Sequence, residues 1–220
     1  MQSEIYDWVL ENIPKNATIV EAGTYDGEDT RFFGHHFRKG KIYGFEPVEE
    51  LYVRSIENTS QYKNVSIEKK ALGEKNEKKS IYISNVSGRT SASSSLRTPK
   101  EHLTFHENVK FSAKQEVEVV NLDSWCDENK ISKLDFMWLD VQGSEYDIIK
   151  SSPKIISNTK YLYCEVSLME MYEGTILYDK FKDNMKQMGF DVVFEELPWE
   201  DMGNVLFENL VYKNETRVYN

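Results

Sequence analysis

Cysteine is scarce: the 220-residue chain has two, Cys126 and Cys164. Both fall in stretches that read as helix and buried strand. That excludes a disulfide scaffold or a structural zinc set and leaves two inert packing thiols. Basic charge is short as well. Lys and Arg total 27 against 37 Asp and Glu, for a formal net charge of -10. A protein that binds duplex nucleic acid needs a basic footprint to displace counterions from phosphates. Nucleic acid is therefore an unexpected partner. Apolar runs are short, and none approaches the roughly 18 residues a membrane helix needs. Residues 1–12 are amphipathic and acidic, without the basic start and apolar centre of a signal peptide. The expectation is a soluble, cytoplasmic protein without a membrane span. Asn-x-Ser/Thr triplets such as Asn64-Val65-Ser66 are then chance. Proline (5) and glycine (11) are too few and too dispersed to mark a linker, and internal repeats are absent.

What is present suits one domain. Hydrophobic residues make up 40% of the chain and aromatic residues 13%, enough for a full core. Ser3 is placed to cap a first helix carrying Ile5, Trp8, Val9 and Ile13 on one face. Residues 17–22 then read as a strand, 27–37 as a helix, 41–45 as a strand, 49–56 as a helix and 65–72 as a third strand. That alternation is half of a doubly wound parallel sheet with right-handed crossovers. A possible strand at 81–84 follows. Residues 87–114 are then polar and rich in Ser, Thr, Lys and His, and 91–114 read as a lid or substrate loop. Order resumes with a strand at 117–120 and a helix at 124–129. A central strand at 134–141, a helix at 144–150, a strand at 161–166 and a helix at 178–188 complete the sheet. Two last strands, 190–194 and 205–212, are spaced as an antiparallel hairpin.

The chemistry is expected where strands end. Val20-Glu21-Ala22-Gly23-Thr24-Tyr25-Asp26-Gly27 leads from the first strand into a helix. Its glycines permit a sharp turn and close approach to a ligand, and the helix start offers free N–H groups. A dinucleotide loop places a glycine where Tyr25 stands, to make room for pyrophosphate, and Asp26 adds negative charge beside it. S-adenosylmethionine (SAM) suits the loop better, because Glu21 or Asp26 can meet its ammonium. Gly44-Phe45-Glu46-Pro47 ends the second strand about 20 residues further on, where an acid accepts hydrogen bonds from a ribose diol. Lys70-Ala71-Leu72-Gly73 ends the third, and small Ala71 could pack on adenine. Asp140 ends the central strand beside the topological switch point, and Glu165 ends the next. Two such carboxylates can share a proton or hold a divalent cation.

Together these residues resemble the FkbM family of SAM-dependent methyltransferases. The likeness is carried by Val20-Glu21-Ala22-Gly23 with Gly27, Gly44-Phe45-Glu46-Pro47, Ala71-Leu72-Gly73, Asn121-Leu122-Asp123, Leu139-Asp140-Val141-Gln142-Gly143-Ser144-Glu145 and Glu165. It spans residues 19–189. The resemblance implies a Rossmann-like class I methyltransferase sheet, mostly parallel with a C-terminal antiparallel hairpin and helices on both faces. It also implies O-methylation, often of sugars or natural-product hydroxyls, and SAM contacts at Glu21, Gly23 and Glu46. With the strand-end reading, the full set of expected SAM contacts is Glu21, Ala22, Gly23, Thr24, Gly27, Glu46, Pro47, Ala71, Leu72 and Asp140. Departures from the family pattern include Trp138, where members often carry Lys, and Gln142, where they often carry Glu.

Methyl transfer from a sulfonium is an in-line displacement, and an alkyl hydroxyl must lose its proton as it attacks. Asp140 is the expected base, with Glu165 beside it and His106 of the loop as a rival. A divalent cation, Mg or Mn, held by Asp140 and Glu165 would instead lower the hydroxyl pKa. The expected partner is a glycan or small-molecule hydroxyl acceptor. Arg89, Arg97, Lys100, Lys110 and Lys114 add a local basic patch. Two other readings stay open: a metal-dependent methyltransferase of phenolic products, and an inactive nucleoside- or partner-binding module.

Overall fold

The computed structural model describes residues 4–213. Helix α1 (Glu4–Asn12) buries Ile5 and Val9. Then come β1 (Thr18–Ala22), α2 (Glu28–His36), β2 (Lys41–Phe45), α3 (Glu49–Thr59) and β3 (Val65–Glu68). The three strands pair in parallel, β1 on β2 and β2 on β3, as the strand–helix alternation requires.

The expected third strand at 65–72 is two strands in two sheets. β3 stops at Glu68, whose carbonyl accepts the Glu46 N–H at 3.0 Å. Ala71–Leu72 then form β4, which pairs in parallel with Val119 and Val120. Both β4 side chains are buried, and that partner supplies the apolar surface they need. The second sheet also contains β5 (Glu77–Val86), β6 (Arg89–Thr90) and β7 (Lys110–Val120), in the order β4-β7-β5-β6. Both long strands outrun the sequence reading. Residues 77–80 and 110–116 are mostly charged or polar, but in the antiparallel β5–β7 pair 77–80 lie opposite 116–119 and 110–116 lie opposite 80–85, and Lys78 meets Glu116 at 3.4 Å. Cross-strand pairing, not hydrophobic alternation, makes them strand. The segment expected as loop to Lys114 thus ends at Lys110, and it contains the short helix α4 (His102–Phe105).

The chain returns to the main sheet through α5 (Leu122–Glu128), β8 (Leu134–Leu139), α6 (Glu145–Ser151), α7 (Pro153–Ile156) and β9 (Thr159–Ser167). The Asn121 side chain caps α5 by accepting the Ser124 N–H at 3.1 Å. Last come α8 (Tyr178–Gln187), β10 (Phe190–Glu196), β11 (Met202–Asn209) and α9 (Leu210–Lys213). The main sheet runs β10-β11-β9-β8-β1-β2-β3. β10 and β11 form the expected antiparallel hairpin, and β11 inserts against β9, also antiparallel. One face packs Ile19, Phe136, Tyr161 and Leu206 under α1 and α2. The other packs Val20, Met137, Leu162 and Cys164 against α6 and α8. The fold is therefore α/β, Rossmann-like and mostly parallel, with helices on both faces. Among the described residues no helix is long and apolar enough to cross a membrane.

Because β1 lies between β2 and β8, the chain leaves it in one direction across the sheet and returns on the other side. Ligands bind outside the carboxyl ends of strands at such a point.

Candidate active site

The turn after β1 is set by close packing of backbone. Gly23 has φ +86°, and a Cβ there would stand 1.7 Å from the Asp140 carbonyl oxygen. Only glycine fits where the exits of β1 and β8 touch. Gly23 and Thr24 then donate their N–H groups to the Phe45 carbonyl at 3.0 and 3.2 Å. This closes the crossing of β1 and β2. Tyr25 follows with φ +53°.

A cleft of about 610 Å³, mouth included, opens here. Its walls include Ala22, Gly23, Glu46, Pro47, Ala71 and Leu72 of the expected SAM contacts, together with Asp140. Phe45, Leu51 and Ile81 make it mostly apolar, as ligand-binding clefts usually are. Glu46 sits at its edge, nearly fully buried. One carboxylate oxygen accepts the Tyr25 N–H at 3.0 Å and the other the Val48 N–H at 2.8 Å. Those bonds fix the carboxylate and leave each oxygen a further lone pair. Burial pushes its pKa up to about 7, against the lowering pull of the two backbone donors.

Beyond the cleft the strand-end acids gather. Oxygens of Asp140, Glu145 and Glu165 lie within 4.8 Å of one another. The Gln142 amide joins two of them: Nε2 donates to Asp140 Oδ1 at 2.8 Å and to the Glu165 oxygens at 3.0 and 3.2 Å. The Tyr172 hydroxyl lies 2.8 Å from Gln142 Oε1 and 2.9 Å from the Ser93 carbonyl oxygen, while the carboxylate oxygens take the Nε2 end of the amide. Glu145 accepts the Val141 N–H at 2.8 Å. Burial raises the pKa of all three acids, Glu145 to about 7 and Glu165 well above the carboxylate range. Neighbouring carboxylates raise them further; for Glu165 the nearest are Asp140 and Glu145. Three oxygen donors suit a hard divalent cation. The Gln142 amide, however, already holds the position between Asp140 and Glu165. These side chains fit a shared proton better than a metal ion.

The remaining expected residues go elsewhere. Gly27 does not line the cleft. It has φ +82°, and a Cβ there would stand 2.9 Å from the Cα of Ser55 in α3, so it permits helix packing. Glu21 is fully buried beside the turn and accepts the Thr30 hydroxyl at 2.7 Å. Burial and then the Asp29 charge raise its pKa. Thr24 is buried, and its hydroxyl has no hydrogen-bond partner among the described residues. His106 pairs with Asp201 at 2.7 Å, outside the carboxylate cluster. The sequence reading missed Gln142 and Tyr172. Gln142 has a local signal, a residue wedged between a strand-end acid and Gly143, and its φ is +56°. Tyr172 has none.

The arrangement fits SAM in its charge. The leading charges bearing on buried Glu21, Asp140 and Glu165 are other carboxylates, and the donor's ammonium and sulfonium would offset them.

Comparison with known proteins agrees. The family model "Methyltransferase FkbM domain" matches residues 21–192. The chain is 31% identical over 194 residues to 2-O-methyltransferase NoeI of Sinorhizobium fredii (strain NGR234), covering 87% of this chain and 79% of that protein. Among solved structures, an rRNA methylase from Streptococcus thermophilus superposes with a TM-score of 0.53 at 14% identity, covering 96% of this chain and 99% of that one. The N-terminal domain of EvdMO1, crystallised with S-adenosylhomocysteine (SAH) and D-fucose, gives 0.50 at 10% identity, over 94% of this chain and 83% of that one.

Proposed function

The chain belongs to the FkbM methyltransferase family, and from that premise we propose that it moves the methyl group of SAM to a hydroxyl of a sugar or glycan. The observation that carries the proposal is the adjacency of two features. The apolar cleft at Gly23 and Glu46 includes Asp140 in its wall, and Asp140 is joined to Glu165 through one amide. When bound, SAM supplies an electrophilic methyl carbon on sulfur. Glu46 accepts the ribose hydroxyls, Ala71 and Leu72 pack against the base, and Glu21 offsets the positive amino-acid end. Asp140 takes the acceptor proton, and Gln142 spreads the resulting change over Glu165. A positioned base of this kind contributes about 100- to 10,000-fold. The name of the NoeI relative supports oxygen as the methylated atom.

The test is a screen of mono- and oligosaccharides, D-fucose included, with methyl-labelled SAM, read by mass spectrometry with and without a chelator. A mass gain on a sugar oxygen is the expected result, unchanged by the chelator. Methylation confined to phenols, or no SAM binding by calorimetry, would defeat the reading.

The chain forms one methyltransferase unit in this proposal, and residues 91–109 serve as its lid. Ala92, Ser94 and Leu96 already line the cleft, and the Ser95 hydroxyl donates to the Gln142 carbonyl at 2.7 Å. Arg97 straps the segment down through Asp147 at 2.5 Å and the Glu173 carbonyl at 2.8 Å. Saturating SAM should therefore slow limited proteolysis within 91–109 about tenfold, what a ligand that binds only the closed form would give at 10 Kd. An unchanged cleavage rate with SAM bound would remove the lid.

A further inference from the structure

A second hollow opens at the same sheet edge, on the α1 side. Its walls include Tyr6, Trp138, Tyr163, Glu196, Trp199 and Asn204. Strand register shows why it lies beside the acids. Trp138 pairs with Tyr163 across β8 and β9. Glu165, two residues past Tyr163, projects from the same face. Glu165 pairs with Asn204, and Asn204 with Glu196. A polar row of Glu165, Asn204 and Glu196 thus borders the aromatic pair Trp138 and Tyr163. Asp140 meets that row through the Gln142 amide.

The walls select among acceptors. Trp138 lies 4.4 Å from Tyr163 and 6.1 Å from Tyr6, ring centre to ring centre. Trp199, in the turn between β10 and β11, is 57% exposed. Among the described residues, the charged ones in the hollow are Glu4 and Glu196, and its lining includes no Lys, Arg or His. A phosphate or a polyanionic glycan would be repelled. A neutral pyranose matches both features. One face of its ring is a patch of C–H bonds that packs on aromatic rings, and its rim carries hydroxyls for carboxylate and amide partners. A phenol would stack equally well but offers little to the polar row.

We infer that this hollow is the acceptor site, and that it takes a neutral pyranose with its C–H face on Trp138 and Trp199 and one hydroxyl turned toward Asp140 and Glu165. The inference rests on the proposed hydroxyl methylation and assigns its substrate class to a place. It also sets aside the basic patch of residues 89–114 as the acceptor contact.

The chain has four tryptophans, Trp8, Trp125, Trp138 and Trp199, so indole N–H signals give a readout independent of turnover. The ¹⁵N-labelled, SAH-loaded protein would be titrated with methyl glycosides of glucose, galactose and mannose up to about 100 mM, enough to saturate millimolar sites. Saturable shifts of the Trp138 and Trp199 signals are expected, with buried Trp125 still. The Trp199→Ala variant should lose about tenfold in glycoside affinity, a loss of about 1.4 kcal/mol, and keep wild-type SAH affinity by calorimetry. The inference falls if no glycoside moves those two signals, if Trp199→Ala binds glycosides like the wild type, or if inorganic phosphate moves them as strongly. SAH binding without these shifts overturns the acceptor site alone. A protein that does not bind SAH overturns the methyl-transfer reading instead.

Discussion

Asp140→Asn should fold, bind SAM and turn over about 100- to 10,000-fold more slowly, the usual contribution of a positioned base. The substitution keeps the shape of the side chain, and an amide oxygen can still accept from Gln142 Nε2, now at 2.8 Å from Asp140. What is lost is the anion that takes the proton. Stability should not fall. Burial raises the pKa of Asp140, and the Asp140 charge in turn raises that of Glu165. The sign follows from linkage. An acid whose folded pKa is raised favours the folded state most below its ordinary pKa, and that benefit is lost as pH rises through the raised value. The asparagine does not titrate, so its melting temperature should gain on the wild type as pH rises. Wild-type kcat should climb with pH through a range above that of ordinary carboxylates, because the base works only when deprotonated. If Asp140→Asn retains full kcat, Asp140 is not the base, and Glu165→Gln becomes the decisive variant.

Glu46→Gln should weaken SAM binding about 10- to 100-fold, the effect of losing one hydrogen bond to a charged acceptor. Both carboxylate oxygens already hold backbone N–H groups, from Tyr25 and Val48. An amide must therefore turn its NH₂ toward one of them, and the loop shifts as well as the ligand contact. The pH dependence is a separate signature. Burial brings the Glu46 pKa to about 7. Ribose hydroxyls donate to its ionised form, so affinity should be full above pH 8 and fall by up to about tenfold per unit below 7. Calorimetry across pH 5.5–8.5 would show proton release on binding near pH 6.5, and the Gln variant would show none from this site. A pH-independent Kd in the wild type would remove Glu46 from the ribose.

Much of the candidate cleft was legible because its parts are local. Gly23, Glu46 and Asp140 each end a strand and start a turn, and local patterning predicts those elements. The cleft does bring together Ala22, Gly23, Glu46, Pro47, Ala71, Leu72 and Asp140. Gly27 is instructive in the other direction. A glycine four residues past Gly23 reads as part of the ligand loop, but its missing side chain makes room for α3. Spacing alone does not tell a close approach of backbone to ligand from a close approach of helix to helix.

Composition and periodicity, by themselves, determined the α/β class, the parallel half-sheet of β1, β2 and β3, the closing hairpin and the strand-end acids, because each depends on residues a few positions apart. Tertiary structure alone decided that residues 65–72 divide between two sheets, that polar residues 110–116 are a strand, and that Gln142 and Tyr172 stand beside Asp140. Those outcomes rest on partners far along the chain. Lys78 on Glu116, Ala71 on Val119 and Asn204 on Glu165 meet only when the sheet assembles, and no local pattern carries the free energy of a contact made at that distance.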